Sequence, residues 1–207
     1  MYSQKLDGVI WKIIPSMMGD GLLLDVRNEK KKTVKYVKLP LDNHRLKKLS
    51  IKELSWWSNV EFYDGEKEVF ISEYQDQKDP TNKKYFRLGK QKVEIELNEV
   101  PIQQVSLLHP FLYEEGTPYH QTVASFLGLQ LPLSCEYLEH EDHIIMSYYL
   151  RSGNAFDRFL LILKNGEKQL KEVQDLNING FAAGAFFMLE EKVFYVKNRN
   201  EICIYPL

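Results

Sequence analysis

Two short apolar strands around a polar turn recur four times along this chain, and that repetition narrows the folds open to it. Residues 11–14 and 22–26 flank the turn-rich stretch 15–21, and residues 60–63 and 69–72 flank Asp64-Gly65. Asp-Gly tolerates positive φ and favours a tight hairpin. Residues 135–138 and 144–149 flank 139–143, and residues 186–189 and 193–197 flank 190–192. Further strands of period two follow the first three hairpins. These are 33–39 and 45–49 with Asp42-Asn43 between them, 85–88 and 92–97, then 159–163 and 168–173 around Asn165-Gly166. Charged breaks at 75–84 and 151–155 separate the second strand from the third in the second and third units.

Each unit therefore reads as four antiparallel strands, and the step from Leu22 to Val69 or from Ile144 to Val193 matches a propeller-blade period of about 40–50 residues. The expected fold is all-β: about four antiparallel blade-like units in one domain, a small or irregular β-propeller, with a two-sheet β-sandwich as the alternative. The units fall at roughly 1–50, 56–98, 134–178 and 184–207. The last unit is one strand short. The N-terminal stretch 2–6 is expected to complete it beside 202–205, which would remove a sheet edge.

The segment 99–133 breaks the repeat, with prolines at 101, 110 and 118. Thr117-Pro118 opens a helix there, because threonine caps free N–H groups and proline at the first position gives up no needed donor. Tyr119, Val123, Phe126 and Leu127 make its apolar face, and Gly128 ends it.

Composition agrees with sheet: 13% of residues are aromatic, a class that fits pleated, half-buried surfaces. A formal charge of −2 and a pI near 6.2 supply no field for nucleic acid or an anionic membrane. Cys135 and Cys203 stand far apart in apolar stretches and read as buried, reduced thiols, with a single disulfide as the alternative. The N-terminal residues lack the apolar core of a signal peptide, and no stretch approaches the roughly 18 apolar residues of a membrane span. A cytoplasmic protein is expected.

Several strand signatures occur together: Gly21-Leu22-Leu23-Leu24-Asp25-Val26-Arg27 after Trp11, then Trp56-Trp57, Glu136-Tyr137-Leu138, Ser147-Tyr148-Tyr149, and Val196-Lys197-Asn198 before Glu201-Ile202-Cys203-Ile204-Tyr205. This set resembles an uncharacterised bacterial family classed as a domain of unknown function, with a propeller-like strand repeat. The likeness runs nearly end to end and implies one continuous domain. In that family's pattern a Gly or Ile follows the loop proline, and Pro80-Thr81-Asn82-Lys83-Lys84 departs from it. The resemblance implies no activity.

Residue chemistry adds few candidates. His140-Glu141-Asp142-His143 has the side chains of a metal site, but consecutive residues of a tight turn splay apart, so a solvated turn is expected and no metal. No phosphate-binding glycine loop is present. The small residues between Gly180 and Gly184 precede a strand and suit a close backbone approach. Ser72 and Ser147 lie in strands, without the strained turn of a nucleophilic serine. No catalytic residue and no cofactor is assigned.

Candidates for ligand or partner binding are Trp56, Trp57, Arg27, Tyr148 and Arg151. Adjacent residues on a strand point to opposite faces, so one ring of Trp56-Trp57 could be core and the other an exposed anchor. Core packing of both rings is the default, and the same holds for Tyr148-Tyr149. Arg27 and Arg151 could form a basic rim or pair with acids. The expected function is a non-catalytic binding or scaffold domain for a protein or a small polar ligand. The alternative is an enzyme acting on a carbohydrate or similar polar molecule through the carboxylates of Asp25, Glu73 and Asp76.

Overall fold

Alternating apolar and polar residues become strand wherever turn chemistry lets the chain reverse. The computed structural model describes residues 1–16, 21–41, 47–49, 56–63, 69–76, 79–88, 91–101 and 107–207. After β1 (Tyr2–Lys5), strands β2 (Val9–Pro15), β3 (Gly21–Asn28), β4 (Thr33–Pro40) and β5 (Lys47–Leu49) form an antiparallel sheet in chain order. Strands β6 (Ser58–Tyr63), β7 (Val69–Asp76), β8 (Asp79–Leu88) and β9 (Lys92–Ile95) form a second. The third contains β10 (Phe111–Tyr113), β11 (Cys135–His140), β12 (His143–Ser152), β13 (Ala155–Lys164) and β14 (Glu167–Ile178), again in order. Helix α1 (Pro118–Leu127) lies between β10 and β11 in the chain. Strands β15 (Phe186–Leu189), β16 (Lys192–Lys197) and β17 (Glu201–Pro206) make the fourth sheet, in the order β1-β17-β16-β15.

The fold is thus all-β, with four antiparallel, blade-like sheets and one short helix. All four expected hairpins are present. The N-terminal strand completes the last sheet, with Tyr2 opposite Ile204, Ser3 opposite Cys203 and Lys5 opposite Glu201. It covers the edge that β17 would otherwise leave open.

The chain divides into two compact units, Leu6–Ser106 and a second made of Met1–Lys5 with Leu107–Leu207. In the first, Ile14, Leu23 and Tyr36 of one sheet share a core with Val60, Val69, Ile71 and Leu88 of the other. Full burial of one aliphatic side chain of this size stabilises by about 1.5–3 kcal/mol. In the second unit, β12 is buried on both faces. Ile145, with Leu138, Leu160 and Ile162, packs against Phe186, Met188, Val193, Tyr195 and Cys203 of the fourth sheet. Met146 and Tyr148, with Cys135, Leu161 and Leu163, face Val123 of α1 and Leu131.

Two expected breaks are narrower than their bounds: β7 and β8 run into 75–84, and β12 and β13 close on a turn at Gly153-Asn154. Tyr74 of β7 pairs with Lys83 of β8, and Arg151 of β12 pairs with Phe156 of β13. In each pair the cation lies over the ring of its cross-strand partner, at 4.9 Å for Lys83 and 5.4 Å for Arg151. Their long stems cover aromatic surface while the charge stays wet, so residues that read as loop belong to the ladder. Pro80 is tolerated because β9 pairs only with Tyr85–Leu88 of β8 and the β7 register passes from Lys83 to Asp79 without a partner for residue 80. The turns expected at Asp42-Asn43 and Asp64-Gly65 lie outside the described residues.

Helix α1 begins and ends as expected. The Thr117 hydroxyl accepts the His120 N–H at 3.4 Å, and Gly128 closes the helix at φ 63°. Its buried stripe is shifted, however. Successive residues turn roughly 100° about the axis, so His120, Val123, Ala124 and Leu127 share the inward side. His120 is buried with Nε2 2.9 Å from the Leu133 carbonyl. Tyr119 and Phe126 fall on the shoulder, 67% and 57% exposed. Among the described residues no helix is long and apolar enough to cross a membrane.

Candidate functional site

Strand β3 lies between β2 and β4, and its alternation puts Leu23, Asp25 and Arg27 on one face. Register places Lys12 and Tyr36 on either side of Asp25. The Arg27 fork spans the Asp25 carboxylate, with Nη2 at 2.8 Å and Nε at 3.1 Å. Its remaining donors reach the neighbouring sheet: Nη1 donates to the Trp56 carbonyl and Nη2 to the Ser58 carbonyl, both at 2.8 Å. Asp25 is 1% exposed. Burial raises its carboxyl pKa, and Arg27 opposes that rise. The buried Tyr36 hydroxyl is pushed well up, by burial first and then by the Asp25 charge.

Two indoles cover the guanidinium. Ile10 pairs with Val26 and Lys12 with Asp25, so Trp11 between them is the extra residue of a β-bulge. Bulges re-aim side chains. Here the Trp11 ring lies 5.2 Å from the Arg27 guanidinium carbon, and the Trp56 ring lies 5.8 Å from it. Lys32 Nζ sits 4.8 Å from the centre of the Trp56 ring. Trp11 remains 57% exposed, and Trp57 46%. The result is a surface formed by the Trp11 and Trp56 rings over a buried cation, with Trp57 next to Trp56 in the chain.

The five candidates from the sequence separate. Arg27 and Trp56 meet in the first unit. Trp56 and Trp57 occupy the turn before β6, with Trp56 half-buried and Trp57 exposed, so core packing of both rings is corrected. Both residues sit in a turn rather than on a strand, and the exposed Trp57 is the outcome that the alternative to core packing described. Tyr148 and Arg151 lie on β12 of the second unit. Tyr148 and Tyr149 are both core: Tyr148 stacks on Phe159 at 5.6 Å, and the Tyr149 hydroxyl donates to the Ala182 carbonyl at 3.1 Å. Arg151 is exposed over Phe156, and among the described residues it pairs with no acid. Trp11 was missed as a site residue. Its signal was a slip in period, since Val9, Ile10 and Trp11 run together before Ile13 and Ile14 resume.

Of the three carboxylates, Asp25 is engaged by Arg27. Glu73 pairs with Lys92 at 2.8 Å and accepts from the Ser58 hydroxyl at 2.7 Å. The Asp76 side chain lies outside the described residues. His140 to His143 form the β11–β12 turn, with Glu141 at φ 53° and Asp142 held between His143 at 2.8 Å and Lys164 at 3.6 Å. They border an open depression of about 450 Å³. Among the described residues no group of three or more His, Cys, Asp or Glu side chains could hold a metal ion.

Cys135 and Cys203 are free and buried, and burial pushes both thiols up to about 11. The small residues before β15 serve Glu136, also missed from the sequence. Its carboxylate accepts the N–H groups of Gly184 at 2.5 Å and Ala185 at 2.9 Å, and Gly184 sits at φ 77°. The chain matches no protein-family model, no curated protein and no solved structure.

Proposed function

We propose that this protein is a non-catalytic binding domain that docks a protein partner on the indole surface around Arg27. The observation that supports this reading is Trp11, a large ring that is mostly exposed yet fixed on a buried guanidinium. An exposed aromatic held in place loses little conformational freedom on association, which favours it as an anchor. The turn residues Lys30, Lys31 and Lys32 are exposed beside this strand pair, and Lys32 lies over Trp56. The surface therefore suits a segment carrying an apolar side chain next to acidic ones. The ion-paired state of Asp25 and Glu73 favours a structural role for both carboxylates. Two unpaired cysteines are in keeping with a reducing, cytoplasmic setting. Kinship with the bacterial strand-repeat family of unknown function stands as a proposal beside this one and adds no activity to it.

Selection of the full chain against a random peptide display library tests the reading. Enriched peptides should pair an aromatic or aliphatic residue with Asp or Glu. Their affinity should drop about tenfold or more in Trp11→Ala and Trp57→Ala proteins that keep the native circular dichroism spectrum. Peptides that bind both variants as well as the parent would refute the proposed surface.

A further inference from the structure

The shoulder of α1 forms one wall of a pocket whose other wall is the third sheet. Tyr113, Tyr137, Glu139 and Ile144 come from the sheet, and Tyr119, Thr122, Val123 and Phe126 from the helix, around about 250 Å³. The three tyrosines stack: Tyr119 on Tyr113 at 5.2 Å and Tyr113 on Tyr137 at 5.5 Å. The pocket is smaller than the roughly 300–1,000 Å³ of sites for drug-sized ligands, so it suits a small group.

Its electrostatics are one-sided. Glu139 is the charged residue of the lining, and it pairs with no cation among the described residues. Among the described residues its carboxylate accepts a single long hydrogen bond, 3.4 Å, from the Tyr137 hydroxyl. Thr122 donates its hydroxyl to the Pro118 carbonyl at 2.9 Å, within the helix rather than toward the pocket's charge. Aromatic rings attract a cation through their electron-rich faces, and a nearby carboxylate adds to that attraction.

We infer that this pocket binds a small organic cation of the alkylated ammonium class. Alkyl groups on the nitrogen fit the apolar wall of Val123, Phe126 and Ile144, while the positive charge faces the rings and Glu139. A free molecule is the occupant that the size favours. This site is independent of the indole surface, and its test does not involve Trp11 or Trp57.

Calorimetric titration of the full chain with choline, and with its neutral tert-butyl isostere, decides the matter. Choline should bind with one-to-one stoichiometry and about tenfold or more tighter than the isostere. Glu139→Gln should remove most of that preference, and Tyr119→Ala should weaken choline binding about tenfold. Both residues are exposed, so thermal unfolding of the variants should match that of the parent. Equal affinity for the two probes overturns the inference, as does choline binding indifferent to both substitutions or the absence of saturable choline binding.

Discussion

Asp25 and Glu136 are both carboxylates sealed into a sheet, and the two units satisfy them by different means. Asp25 takes a guanidinium, while Glu136 takes two backbone N–H groups, those of Gly184 and Ala185. Burial raises both carboxyl pKa values, and the opposing influence is Arg27 in one case and chiefly backbone hydrogen bonds in the other. The backbone solution brings in no further side chain or charge. A guanidinium brings further donors and a charge that themselves need cover, here two carbonyls and the faces of two tryptophans. One buried acid thus needs only backbone donors, and the other is accompanied by an aromatic patch.

The largest expected effect tests the ionic solution. Arg27→Met should destabilise the protein by about 3–5 kcal/mol in urea unfolding, because it strands a buried charge. The double variant Arg27→Met with Asp25→Leu should recover most of that loss, since it removes both charges. A double variant as unstable as the single one would break the comparison. Glu136→Gln should lose less, about 1–3 kcal/mol, because one backbone donor then faces an amide NH₂. Its tryptophan emission should stay that of the parent.

Trp11→Ala should reduce stability by only about 0.5–1 kcal/mol, the worth of an exposed cation–π contact, although it removes the proposed anchor. A larger loss would mean that the ring is needed chiefly for the fold. The smallest effect is on pH dependence. Each native carboxyl holds its proton more tightly than in the unfolded chain. The stability linked to it is complete below the unfolded pKa and fades as pH rises through the native one. Unfolding free energies measured upward from about pH 4 should therefore fall more steeply for the parent than for Asp25→Asn. Identical slopes would show that Arg27 cancels the burial of Asp25 completely.

Much of the architecture could be read before any coordinates, because strand alternation and turn residues are local properties. The four hairpins, the helix caps at Thr117 and Gly128, and even the return of the N-terminal strand to β17 followed from them. The last is a long-range pairing, yet it rested on a local count: the fourth unit lacked one strand. The errors have a common cause. Lys83 and Arg151 read as parts of breaks because their neighbours across the ladder, Tyr74 and Phe156, were unknown. Tyr119 and Phe126 read as part of the apolar face, yet helical spacing defines a stripe and not which part of it another element covers.

The candidate site shows the same division. Sequence alone singled out Arg27 and Trp56 as residue types suited to binding, and it determined the all-β, four-unit layout that carries them. Tertiary structure decided that Trp11 is a bulge residue, that Asp25 lies in the core and that one guanidinium joins three strands. Those facts depend on register and on what lies across a sheet. Period-two alternation tells which face a residue occupies, but it carries no information about the partner on the other side.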